Sequence, residues 1–319
     1  MTIFFTLCAN NYLANALSLN QSFRKYHPDI KFVIGLVDKP SSIAIPYLKG
    51  YELLYVDDLN DSALESMKTR YNIIELSTAV KPYYIDHFFS KLKADKVIYL
   101  DPDTLLFAPI TEVINELNSY TYILTPHAIT PKYDSLLLSE QITLITGTFN
   151  LGFFAIKNNL IGNQLIDWWK QKLYDECILD MANGYFVDQK WMNLSICYFD
   201  NFLILKNIGI NMAHWNFHER VLNNTSNKYL INENIPLVLF HYSSYKPETP
   251  DIIARWQNRF TLQSRPDLKE IFYTYSSLLA TNHYNLFKDI KPCYGVLMNK
   301  KVTIKERIKN KLITYLSKI

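Results

Sequence analysis

The run KVIYLDPDTLLF, residues 96–107, ends an apolar stretch in two carboxylates, Asp101 and Asp103, with one proline between them. Carboxylates this close repel each other unless a cation or a hydrogen-bond donor lies between them. Residues i and i+2 of an extended chain point the same way. The pair is therefore expected to share one hard cation, Mg2+ or Mn2+, with positions left open for phosphate oxygens. The plain alternative is a solvated strand end at a turn proline.

Elements must hold such a pair in place. Short apolar runs at IFFTL (3–7), KFVIGLV (31–37), YELLYV (51–56), KVIYL (96–100) and TYILT (121–125) alternate with helical patterns. Between the first two runs, Leu13, Ala16, Leu17, Phe23 and Tyr26 recur at about helical spacing. The alternation predicts an α/β fold, a mostly parallel sheet with helices on both faces. Ligands of such sheets bind beyond the carboxyl ends of strands, where Asp101 and Asp103 would lie. No Pro/Gly/Ser linker, repeat or low-complexity block divides the 319 residues.

Only eight glycines occur, and none form a G-x-G-x-x-G, which argues against a glycine-cradled dinucleotide. Gly147 and Gly152 have Walker spacing, but Phe153 and Phe154 stand where Lys and Ser/Thr are needed. A net charge of +3 does not mark a nucleic-acid protein. The four cysteines form no C-x-x-C pair, so buried, reduced thiols are expected rather than a zinc site or disulfides. MTIFFTLCA lacks a basic n-region and meets Asn10 and Asn11, so it reads as a first buried strand. No apolar run approaches the roughly 18–20 residues of a membrane span. A cytoplasmic setting is expected, in which sequons such as Asn223-Asn224-Thr225 are silent.

A D-x-D after an apolar run also occurs in haloacid-dehalogenase phosphatases. That pattern wants Asp-x-Asp-Gly-Thr and a later acidic pair, whereas Thr104-Leu105 follow here and Asp57-Asp58 come earlier. Four downstream segments point elsewhere: FNLGFFAIKN (149–158), GYFVDQKWMN (184–193), AHWNFHER (213–220) and LFHYSSYKP (239–247). Taken with YLDPDTLLF and the stretch from Glu75 to Pro82, this ordered set resembles bacterial nucleotide-sugar glycosyltransferases of the GT-A fold. It is more distantly similar to glycosyltransferase family 8. The resemblance spans roughly residues 1–250.

The resemblance implies a role for each matching position. Asp101 and Asp103 would hold a divalent metal and the donor's ribose and diphosphate, and His241 would complete the metal site. Read without it, His241 simply ends the apolar run PLVLF. Lys246 would reach the diphosphate, although Tyr242-Ser243-Ser244-Tyr245 intervenes where the family has a glycine and one more residue. Lys81 would serve the donor site, and Asn150 and Gly152 would bring backbone close to the donor sugar. Asp188 and Gln189 would line the sugar pocket, with Lys190 standing where the family carries another Asp. Arg220 would hold phosphate or an acceptor group, its alternative being an ordinary surface salt bridge. Trp168 and Trp169 read as packing.

Residues 1–285 are thus expected to form a GT-A domain and residues 286–319 a basic helical tail. Ile304, Ile308, Leu312, Tyr315, Leu316 and Ile319 recur at threes and fours among seven lysines and arginines, a pattern suited to an anionic membrane surface or to docking on the domain. The whole reads as a metal-dependent transferase moving a sugar from a nucleotide-diphosphate donor to a saccharide or glycolipid in surface polysaccharide or lipopolysaccharide assembly. No nucleic-acid partner is expected. Retention of stereochemistry is favoured, with Asp188 as the base if the reaction inverts. A non-catalytic carbohydrate- or nucleotide-binding protein of the same fold stands as the alternative, a phosphatase behind it.

Overall fold

The computed structural model describes residues 1–225 and 228–295. Its strands are β1 (Thr2–Cys8), β2 (Lys31–Leu36), β3 (Glu52–Tyr55), β4 (Lys96–Leu100), β5 (Thr104–Leu106), β6 (Tyr122–Pro126), β7 (Phe149–Lys157), β8 (Leu179–Asp180), β9 (Tyr185–Phe186), β10 (Phe202–Ile204), β11 (Leu222–Thr225), β12 (Lys228–Ile231), β13 (Ile235–Pro236) and β14 (Leu239–His241). Its α-helices are α1 (Leu13–Tyr26), α2 (Ser62–Arg70), α3 (Ile73–Ala79), α4 (Lys81–Ser90), α5 (Thr111–Glu116), α6 (Glu140–Thr146), α7 (Leu160–Leu173), α8 (Met192–Tyr198), α9 (Lys269–Thr281) and α10 (Tyr284–Phe287).

Seven strands form the main sheet in the order β10-β6-β7-β4-β1-β2-β3. All neighbours run parallel except β7, which is antiparallel to both β4 and β6. Alternation along β1 sends its side chains to two cores. Phe4 packs on Phe23 of α1 at 4.7 Å between ring centroids, while Phe5 meets Phe88 of α4 edge-on at 5.1 Å. Burying each such ring contributes roughly 1.5–3 kcal/mol. Central strands covered on both faces have no need of polar alternation, which is why β1, β4 and β7 read as near-continuous apolar runs.

The C-terminal pair α9 and α10 closes over α1. Asn15 Nδ2 donates to the Tyr275 hydroxyl at 2.7 Å, and Asn282 Nδ2 donates to Ser18 Oγ at 2.9 Å. Residues 288–295 then run back along the domain, with the Cys293 N–H on Asp38 Oδ1 at 2.8 Å and the Gly295 N–H on the Lys68 carbonyl at 3.1 Å. The first ten residues of the expected tail therefore lie against the domain. The amphipathic helix expected over 300–319 falls outside the described residues. No described helix is long and apolar enough to cross a membrane.

Candidate metal and donor site

β4 delivers Asp101 to the carboxyl end of the sheet, where its N–H extends the ladder to the Gly152 carbonyl at 2.8 Å. The chain then turns rather than staying extended. Thr104 N–H and Oγ1 both donate to the Asp101 carbonyl, at 3.1 and 2.8 Å. This closes a turn around Pro102, so Asp101 and Asp103 are brought together by that turn and not by strand alternation. β5 pairs antiparallel with β14, setting His241 opposite Thr104, and Tyr242 N–H donates to the Asp103 carbonyl at 2.8 Å. His241 Nε2 consequently lies 3.1 Å from Asp103 Oδ1 and 3.7 Å from Asp101 Oδ2. One ligand atom from each of the three residues falls within 4.8 Å of the others.

Two carboxylates and one imidazole at that spacing fit a divalent cation that accepts oxygen and nitrogen and keeps open positions. Burial opposes a charge on His241, but Asp103 and Asp101 outweigh it and hold the imidazole above its ordinary range. The Tyr99 hydroxyl donates to Asp101 Oδ1 at 2.6 Å and fixes that carboxylate from below.

Behind the triad lies a row of buried polar groups. His241 Nδ1 faces Asn211 Oδ1 at 3.2 Å, and Asn211 Nδ2 donates to Asn150 Oδ1 at 3.0 Å and to Thr125 Oγ1 at 2.9 Å. An amide oxygen only accepts, so Nδ1 carries the proton and, in the neutral ring, the Nε2 lone pair faces the carboxylates. Asn150 Oδ1 also accepts the Gly152 N–H at 3.1 Å. A Cβ on Gly152 would sit 2.7 Å from His241 Nδ1 and 2.8 Å from Asn150 Oδ1, so only glycine leaves room for the imidazole. Asn150 and Gly152 thus act through His241, by amide and by absence of side chain.

Lys81 opens α4 and is buried with its ammonium between three partners. Nζ donates to Asp188 Oδ2 at 2.5 Å and to the Leu151 carbonyl at 2.9 Å, and lies 4.0 Å from the centre of the Tyr99 ring. Asp188, equally buried, has its carboxyl raised by burial, with Lys81 pulling in the opposite direction. Gln189 donates to the Thr146 carbonyl at 2.9 Å. The predicted sugar-pocket pair is therefore engaged in internal contacts, and Lys81 and Asp188 form one ionic unit.

One expectation changes. Arg220 is buried, not a surface group: Nη1 donates to the Ile208 and Ile210 carbonyls at 2.9 and 3.0 Å, and Nη2 meets Glu219 Oε1 at 3.2 Å. Burial brings its guanidinium down to about 10 against the nearby Glu219. These bonds tie Arg220 to the carbonyls of the 208–220 loop. Lys246 stands exposed in the turn after Tyr245, and its ammonium has no partner among the described residues. Trp169 is core, edge-on to Phe154 at 5.3 Å.

Sequence reading gave no role to Asn211, Tyr99 or Trp215. Trp215 is wedged edge-on against His241 and His127, at 5.1 and 5.3 Å. The Trp215-Asn216 match drew attention to that loop, but nothing in the spacing marked Asn211 as the partner of His241.

No protein-family model matches the chain. It is similar to the uncharacterized protein YfnF of Bacillus subtilis (strain 168), 23% identical over 248 residues, covering 76% of this chain and 80% of that one. The uncharacterized protein YfnD of the same organism is 22% identical over 247 residues, covering 76% of this chain and 77% of its own. Among solved structures, the galactosyltransferase LgtC in complex with donor and acceptor sugar analogs superimposes with a TM-score of 0.51 at 17% identity, over 88% of this chain and 96% of that chain. At that identity the likeness speaks for the fold. The chain has a GT-A fold, a mostly parallel mixed sheet flanked by helices, with a C-terminal helical pair added.

Proposed function

We propose that this chain is a metal-dependent glycosyltransferase that moves a sugar from a nucleotide-diphosphate donor to a saccharide or glycolipid in bacterial surface polysaccharide assembly, at the cytoplasmic side of the membrane. The observation that carries this reading is the triad of Asp101, Asp103 and His241 at the carboxyl end of β4, with the Lys81–Asp188 pair beside it. Asp101, Asp103 and His241 would hold Mn2+ or Mg2+, which when bound neutralises charge developing on a leaving diphosphate. Lys246, exposed and unpaired among the described residues, is free to swing toward the same oxygens.

Lys81 fixes the Asp188 carboxylate in place and neutralises it. Retention is therefore favoured, since a base for an incoming hydroxyl has to be free to take its proton. Asp188 and Gln189 then shape the floor of the sugar pocket. The sequence pattern of residues 300–319 supports a basic helix that attaches the enzyme to an anionic surface.

The test is a thermal-shift and donor-consumption panel of uridine-, guanosine-, adenosine- and thymidine-diphosphate sugars with Mn2+ and with chelator. Stabilisation and consumption by one donor only with metal is the expected result. Binding without consumption in the presence of any acceptor would favour a non-catalytic binder, and phosphate release from simple monoesters a phosphatase.

A further inference from the structure

Strands β4, β1, β2 and β3 are neighbours and run the same way, so their carboxyl ends share one edge of the sheet. β2 and β3 lie on one side of β1 and β4 on the other. The crevice at such a switch point is where open α/β sheets take their ligands. Phe5 lies opposite Tyr99, so the two strands leave the sheet side by side, β1 into the turn Asn10–Tyr12 and β4 into Asp101 and Asp103. One wall of the crevice therefore carries the triad, and the other is the Asn10–Tyr12 turn.

That turn is held by a carboxylate. Asp38, just past β2, accepts Asn10 Nδ2 at 2.6 Å and the Asn10 N–H at 3.4 Å on Oδ2, and the Lys39 N–H at 2.9 Å on Oδ1. Asn10 Nδ2 also reaches the Lys39 carbonyl at 2.7 Å. A further donor comes from the far end of the chain, the Cys293 N–H on Asp38 Oδ1 at 2.8 Å. Asp38 is wholly buried.

Residues 293–295 continue as a strap to the next strand end. The Tyr294 hydroxyl donates to Asp57, past β3, at 3.0 Å to Oδ1 and 2.7 Å to Oδ2, and Lys68 Nζ lies 4.9 Å from the centre of the Tyr294 ring. The Gly295 N–H meets the Lys68 carbonyl at 3.1 Å. Gly295 has φ +65°, and a Cβ there would lie 2.5 Å from the Ile73 nitrogen, so the strap seats only with glycine at this point. A few hydrogen bonds and one half-buried ring hold it, against the apolar core that holds the sheet. A segment so attached opens at lower free energy than the domain unfolds.

We propose that the strap is a latch on the donor mouth: docked, it completes the bonding of Asp38 and through it holds the Asn10–Tyr12 turn in the shape that receives the donor's nucleotide. The proposal rests on the transferase reading for the identity of the ligand. Asp38 and Tyr294 are positioning residues in this scheme. Docking of the strap and binding of the nucleotide favour each other by the same factor, whichever comes first.

The test is hydrogen exchange read by mass spectrometry on the full chain, as wild type, as Tyr294→Ala and as Tyr294→Ala/Gly295→Val, with nucleotide and Mn2+ titrations alongside. The amides of Asn10, Tyr12 and Leu13 are bonded to Asp38, to the Ala9 carbonyl and to the Asn10 carbonyl. In both variants they are expected to exchange at least about fivefold faster, and affinity for uridine, guanosine, adenosine or thymidine diphosphate with Mn2+ to fall by at least about fivefold, the lower end of coupling between sites. Mn2+ affinity alone stays unchanged, because the strap touches none of the three ligands; a general loosening of the domain would lower both affinities. In the wild type, bound nucleotide and Mn2+ slow exchange at the Cys293 and Gly295 amides. Variants whose residues 293–295 open while residues 10–13 stay protected overturn the proposal, as does a wild type whose strap gains no protection from bound nucleotide. A wild type that binds none of these nucleotides fails the transferase reading, and exchange at residues 10–13 still decides whether the strap holds the turn.

Discussion

The Lys81 ammonium lies 2.5 Å from the Asp188 carboxylate, both side chains being almost wholly buried, across 107 residues of sequence. Two charges removed from water hold each other only while both are present. Lys81→Met or Asp188→Asn alone is expected to cost roughly 3–5 kcal/mol of stability, and the Lys81→Met/Asp188→Leu double variant clearly less than the sum. Urea denaturation of the three variants checks this, and additive losses would mean that the two side chains act independently. On the proposal that the unit shapes the sugar pocket, turnover is expected to fall in all three.

Asp103→Asn and His241→Ala each remove one of three ligands, and their Mn2+ affinity is expected to fall by at least tenfold while the fold persists. Calorimetric titration reads this directly. Unchanged affinity in either variant would take that residue out of the metal site.

Asn211 sits at φ +59°, a left-handed conformation that glycine adopts without strain, so Asn211→Gly deletes the amide while keeping the backbone. The imidazole loses the acceptor that fixes its tautomer, and Mn2+ affinity should fall by about 10–100-fold. Gly152→Ala pushes on the same ring from the other side and should weaken metal binding as much, with about 1–3 kcal/mol of stability lost to overpacking.

Proton and metal compete for His241 Nε2. The neighbouring carboxylates raise the imidazole above 6.5 in the metal-free protein. Mn2+ affinity should therefore climb about tenfold per pH unit up to that raised value and level off above it. The metal-free protein behaves in the opposite sense. The stability drawn from protonated His241 is fully present below 6.5 and is lost as pH rises through the folded-state value. Melting of chelator-treated wild type against His241→Ala from pH 5.5 to 9 isolates the effect, and a difference that grows with pH would contradict it.

The chemistry that depends on residue type was legible in the sequence, whereas the chemistry that depends on contact was not. Asp101 and Asp103 stood out because paired acids at a strand end are conspicuous, whereas His241 was picked out by the family resemblance and not by its place in the apolar run. Asp101 and Asp103 nonetheless meet through the turn that Thr104 closes, which a period-two argument does not foresee. Asn211 was silent, since an asparagine within NMAHWN announces nothing until β14 runs beside it. Arg220 shows the converse: a guanidinium after a tryptophan reads as a surface group, and only the fold shows it buried and bonded to the Ile208 and Ile210 carbonyls. The reversal of β7 was equally hidden, because a strand buried on both faces has the same apolar text in either direction.

The antiparallel pairing of β5 with β14 also gives the site a history within synthesis. At about 5–20 residues per second, the ribosome adds His241 roughly 7–28 s after Asp101, and α9, whose Tyr275 meets Asn15 of α1, later still. Through that interval the nascent sheet carries a pair of acids without their histidine and a first helix with an uncovered flank. On the proposed metal reading, capture of the cation waits for the last quarter of translation, and a ribosome stalled before residue 239 would display the main sheet without the third member of the triad.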